Sequence, residues 1–294
     1  MRKATYHLSG NVEPMGVIFG CAAGLAAGFP LAFVYAWGII QIDEQKMAAI
    51  ATLVYGAALG AAPAYAMKWR KVRNIMVASV VALATAAGSL YCSWAFWAKN
   101  ILKTFEQGEV DAFSLMHKPQ ALWDLVKLIN QYGTWGTTKD SPTKGAELWA
   151  IWGLEALVVL GIAVTIAIVI LESQPFCESC KLWCSASEKL FLWGGENPVP
   201  LKRSLETGDL SFIQKLSAGN AKTTHLSAHL HSCPSCGGLN TLTLQHTLIK
   251  PAKFGKPKIT HTTLGKKLLI SHQEADMLRN TAQNHKQMAQ AAKA

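Results

Sequence analysis

Four long apolar stretches set the pattern of the chain, and short polar turns separate the first three. They cover about Met15–Ile40, Met47–Met67, Ile75–Ala98 and Leu148–Leu171. Each reaches the roughly 20 residues that a helix needs to cross a hydrocarbon core. The pattern predicts four transmembrane helices. "MRKATYHLSGNVEP" precedes the first, whose apolar run is too long for a cleavable signal core, and a second span follows closely. The first helix is therefore expected to remain in the protein.

Small residues recur within these stretches. Gly16, Gly20, Gly24 and Gly28 are four apart in the first, and Gly56 and Gly60 are four apart in the second. That spacing makes a groove on one helix face into which another backbone can settle. It predicts that spans one and two pack closely, as a hairpin or across a homo-oligomer. Pro30 and Pro63 predict kinks.

Charge adds direction. Lys68, Arg70, Lys71 and Arg73 fill the turn between spans two and three, and Arg2 and Lys3 lie at the N-terminus. The turn after span one carries Lys46 beside Asp43 and Glu44. Positive charge collects on the cytoplasmic side of short loops. The N-terminus, the 68–73 turn and the C-terminal region are thus expected inside, and residues 99–147 outside. In that outer loop Leu122, Leu125, Val126 and Ile129 keep helical spacing, with Pro119 to start a helix and Gly133 to end it. An amphipathic helix is expected there.

Glu155 is the one ionisable residue of the fourth span. An acid in an apolar span is costly and turns towards the bundle interior. It marks either an intramembrane proton or cation site or a polar link, through Ser89 or Ser93, to the third span. Cys21 and Cys92 read as buried thiols.

After Glu172 the composition becomes that of a soluble domain. "CESC" supplies Cys177 and Cys180, and "CPSCGG" supplies Cys233 and Cys236. Each C-x-x-C turn folds two sulfurs towards one point, and two such turns offer four thiolates to a tetrahedral ion. "HLSAHLH" and "LNTLTLQHTLI" flank the second pair and alternate apolar with polar positions, so they read as a strand pair. "SEKLFLW" and "SLETGDLSFIQKL" between the pairs are expected to be short helices, and "ITHTTLGKKLLI" another hairpin. "KPAKFGKPK" reads as an exposed basic loop, and Ser271 with Glu274 as a capping box.

On these residues the stretch from Gln174 to Ile249 resembles a zinc ribbon, which implies one structural zinc and a local fold but no activity. Cys184 and His231 are alternative ligands. A disulfide is disfavoured by a reducing compartment. A catalytic zinc is disfavoured because four cysteines leave no open position.

Composition agrees with this division. Of the 294 residues, 50% are hydrophobic and only 16% are charged, against about 25% charged in average soluble domains. Seven cysteines are too few for a disulfide scaffold of this length. The net charge of +10 suits anionic lipid or the inner face of a membrane, and nucleic acid is the disfavoured partner because few aromatics interleave the lysines.

The fold class expected is an α-helical membrane protein with four transmembrane helices, residues 1–172, carrying a cytoplasmic α+β zinc-ribbon-like domain, residues 173–294. The expected setting is a bacterial inner membrane. The expected function is a non-enzymatic scaffold or regulator contacting membrane lipid and a cytoplasmic protein. The alternative is a small transporter or channel component that uses Glu155.

Overall fold

A computed structural model describes residues 3–42, 44–104, 110–134, 142–185, 187–194, 198–216, 224–250 and 257–291. The chain divides into two compact units, Ser9–Ser173, and Met1–Leu8 together with Gln174–Ala294.

The first unit is helical: α1 (Pro14–Ile40), α2 (Gln45–Trp69), α3 (Ile75–Thr104), α4 (Ala112–His117), α5 (Pro119–Tyr132) and α6 (Ala146–Glu172). Four of these, α1, α2, α3 and α6, are long and apolar enough to cross a membrane. α1 and α2 run unbroken through Pro30 and Pro63. The helices bury their small residues against one another. Ala32, Ala36, Ala82, Ala86, Ala163 and Ala167 are closed off, while Phe33, Val54, Val80 and Leu157 face outward. A soluble bundle would place its large apolar side chains inside and its polar ones out.

The expected close packing of α1 on α2 forms, although the two glycine rows do not face each other. Gly20 lies under Met67 of α2 and Val81 of α3, Gly24 under Thr85 of α3, and Gly28 under Ser89 of α3 with Leu59 of α2 beside it, while Gly16 sits against Arg70 and Val72 of the turn after α2. Gly56 and Gly60 of α2 instead receive the backbone of α6 at Val159 and Ala163. The tight α1–α2 connection already holds those two helices together. The α1 groove thus receives both α2 and α3, and the α2 groove receives α6.

α5 forms where its spacing predicts. Leu122, Val126 and Ile129 pack on Ala95 and Ala98 of α3 and on Leu148 and Trp152 of α6. Pro119 opens it and Gly133 closes it. α4 is an addition, capped by the Asp111 carboxylate, which accepts from the Ser114 N–H. His117 returns to the Phe113 carbonyl.

The second unit holds a small hairpin, β1 (Phe176–Cys177) with β2 (Leu182–Trp183), and a four-stranded antiparallel sheet in the order β3-β4-β5-β6. The sheet strands are β3 (Glu188–Gly194), β4 (His225–Ser232), β5 (Asn240–Lys250) and β6 (Lys258–Ile270). α7 (Pro198–Thr207), a 3-10 turn (Ser211–Lys215) and α8 (His272–Ala291) complete it. Leu226, Ala228 and Leu230 of β4 face the core with Leu242 and Leu244 of β5. Leu201, Leu205, Ile213, Ala275 and Leu278 cover that face. The capping box of α8 forms, with the Ser271 N–H on the Glu274 carboxylate and the Glu274 N–H on Ser271 Oγ.

Three sequence expectations change in this unit. "SEKLFLW" is strand β3, because pairing with β4 and burial of Leu190 outweigh its helical propensity. "ITHTTLGKKLLI" is one long strand, and Gly265 lies opposite a register shift at Leu244 instead of turning the chain. The N-terminal residues belong to this unit as well. Thr5 bridges Leu268, the Tyr6 N–H donates to Lys267 O at 2.8 Å, and the Leu269 N–H donates to Ala4 O at 2.8 Å. This N-terminal strap therefore covers part of the β6 edge without forming a strand of its own. Lys253 and Lys256 of the expected basic loop lie outside the described residues, as does the 135–141 stretch of the outer loop.

Candidate metal centre

Two turns bring the four predicted cysteines together. The first is the β1–β2 hairpin, where Phe176 pairs with Trp183 and Cys177 with Leu182. Lys181 takes a left-handed conformation, φ 53°, to close it. The second joins β4 to β5. The Cys233 N–H donates to Leu239 O at 2.9 Å, and the Gly237 N–H donates to Cys233 O at 3.1 Å. Gly237 sits at φ 60°, where a side chain would be strained. Asn240 braces the turn through a 2.7 Å bond to Gly237 O. Sequence periodicity predicts both turns because a C-x-x-C pair needs this tight return.

The ligand atoms of Cys177, Cys180, Cys233 and Cys236 all lie within 4.8 Å of one another. Cys177 and Cys236 Sγ are 3.7 Å apart, far beyond the roughly 2.05 Å of a disulfide. These four side chains can hold one metal ion. Their thiols are not alike. Burial pushes Cys233 up, but hydrogen bonds from the Cys236 and Ser235 backbone and from neighbouring thiols outweigh it and bring it to about 6. Cys180, hydrogen-bonded to the Cys236 sulfur, is pushed up to about 12. Thiols that are protonated in the empty site release their protons when metal binds.

Cys184 is buried beside Cys177 and Cys233, and burial pushes it up to about 12. It lies just beyond β2, its N–H on Pro175 O at 2.8 Å, and it is outside the group of four. His231 Nδ1 donates to Ser185 O at 3.0 Å, so that nitrogen is engaged by backbone. His229 Nδ1 is with Ser187 Oγ.

Sequence reading misses Tyr6. Its hydroxyl accepts from the Phe176 N–H at 2.9 Å and donates to Phe176 O at 3.1 Å, next to the ligand Cys177. Lys3 pairs with Glu274 at 2.5 Å on the same strap. The only signal was the alternation in "ATYHL", too short to stand out.

Glu155, the other predicted site residue, is bound elsewhere than expected. Its carboxylate accepts from the Tyr35 hydroxyl of α1. Tyr35 is also 2.9 Å from Thr52 Oγ1 and stacks on Tyr55, with ring centroids 4.2 Å apart. Tyr55 reaches Ser89 at 2.8 Å, and Ser89 Oγ donates to Gly28 O at 2.6 Å. Ser93 turns to its own helix at Leu90 O. Polar groups from α1, α2, α3 and α6 therefore meet inside this unit, and the two tyrosines supply the lining that an apolar count hides. No protein-family model, curated protein or solved structure matches the chain.

Proposed function

We propose that the chain is an integral membrane protein whose soluble unit is held by one structural zinc and serves as a scaffold or regulator for a cytoplasmic partner. The sulfur geometry carries the metal part of this reading. Four zinc–thiolate bonds of about 2.3 Å arranged tetrahedrally give sulfur–sulfur edges of about 3.8 Å, and Cys177 and Cys236 stand 3.7 Å apart. Four protein sulfurs fill a tetrahedral ion and leave no position for substrate, which favours a structural role.

The inverted burial of the helices supports the membrane part, with alanines and glycines inside and Phe33, Val54 and Leu157 outside. Small residues at helix contacts and large apolar ones facing outward suit lipid as solvent. The basic turn at 68–73 favours cytoplasmic termini in a bacterial inner membrane. Resistance to alkaline extraction, with labelling of residue 71 from the cytoplasmic side in a Lys71→Cys chain, tests this; a chain released by alkali contradicts it.

A second reading has one observation behind it, the Glu155–Tyr35 contact at the meeting of four helices. In that reading the helices move a proton or small cation and the metal unit regulates them. Glu155→Gln in a growth or flux assay separates the two. Unchanged behaviour favours the scaffold, and loss of flux favours transport.

A further inference from the structure

We propose that the turn after α2 holds a binding site for the phosphodiester headgroup of an anionic phospholipid, centred on Arg70. The proposal rests on the membrane reading above. Arg70 caps α2, and its guanidinium carbon lies 5.1 Å from the ring centre of Phe19 and 5.7 Å from that of Trp69. Those rings meet edge to face at 5.9 Å. Its Nε is buried with no hydrogen-bond partner, and Arg70 has no carboxylate partner among the described residues. A guanidinium packed on aromatics keeps its donor fork fixed, and that planar fork matches a phosphate's oxygens.

The turn is built to hold this pose. Gly16 of α1 gives way to Arg70 Cβ and Val72, so the turn nests on α1. The Arg73 N–H donates to Asn11 O at 2.9 Å, and Asn74 donates to Gly10 O at 2.9 Å. Lys71 is held at φ 62°, which a non-glycine residue adopts only when its surroundings fix it, and it stands exposed beside Arg70. Apolar surface flanks the cations: Trp69 is 70% exposed and Met76 77%. Free phosphate would use the cations and leave that surface bare, whereas a phospholipid covers both with headgroup and acyl chain.

The test is the lipid bound to the full-length protein reconstituted in mixed phosphatidylcholine and phosphatidylglycerol bilayers, read by native mass spectrometry. Phosphatidylglycerol should be retained preferentially, and Arg70→Gln should cut that preference by more than the about fivefold that one cation is worth at an anionic surface, because charge and fork are lost together. Arg70→Lys keeps the charge and stem but loses the fork, and its preference should fall measurably, to between those of Arg70→Gln and the natural chain. Lys103→Gln, the same charge loss at the far end of α3, should change nothing. Arg70→Lys or Arg70→Gln binding like the natural chain would overturn the site. Displacement by millimolar inorganic phosphate would also overturn it, as an anion site without lipid. A protein that fails to integrate into the bilayer at all refutes the membrane reading instead, and the two failures are thereby told apart.

Discussion

The Tyr6 hydroxyl bonds both backbone groups of Phe176, accepting from its N–H at 2.9 Å and donating to its carbonyl at 3.1 Å. The two residues are 170 positions apart, and Phe176 directly precedes Cys177, the first of the four clustered cysteines. The Tyr6 segment is thus tied to the turn that carries Cys177. Tyr6→Phe removes the hydroxyl that bonds both backbone groups. Each lost hydrogen bond costs about 1 kcal/mol. The variant should unfold its sheet unit at clearly lower denaturant and yield its metal to a chelator sooner, measured on the full chain in detergent. An unchanged midpoint would show that water replaces the hydroxyl without loss.

The Lys3–Glu274 pair gives the strap a pH dependence. Burial pushes the Glu274 carboxyl up, but the Lys3 ammonium and the Ser271 N–H outweigh it and hold it below its ordinary 4.5. A depressed acid stabilises the folded form above its unfolded value, and that contribution disappears as pH falls through the folded one. Unfolding followed from pH 7 down to about pH 3 should show the natural chain losing more stability than Glu274→Gln. Parallel pH curves for the two proteins would remove the pair from the account.

Glycines in the helices differ in what surrounds them. A Cβ on Gly60 would fall 2.8 Å from the Ala163 Cα, whereas one on Gly88 meets nothing within 4 Å. Gly60→Ala should destabilise the helical unit by about 1–3 kcal/mol, the cost of overpacking. Gly88→Ala should be neutral or slightly stabilising, because alanine favours the helix. Thermal unfolding in detergent separates them, and equal effects would deny the α2–α6 contact.

Much of this was legible in the chain. Apolar run length alone places α1, α2, α3 and α6, and the C-x-x-C spacing places both metal turns. Partners across long sequence separations were not legible. Which helix fills the glycine groove depends on the packing of all four, so Gly24 against Thr85 could not be read from Gly24. Strand β3 was hidden because "SEKLFLW" has no turn signal and gains its state only by pairing with β4. Tyr35 lies within an apolar run, although its hydroxyl is what meets Glu155. Tyr6 lies in a short segment whose partner, Phe176, is distant in sequence.

The metal content of the purified full-length protein tests the central claim most directly. The four-cysteine site predicts one zinc per chain, kept in Cys184→Ser and lost in Cys233→Ser/Cys236→Ser together with protection of the sheet against proteolysis. A natural chain that carries no metal, and whose fold ignores a strong chelator, would contradict it.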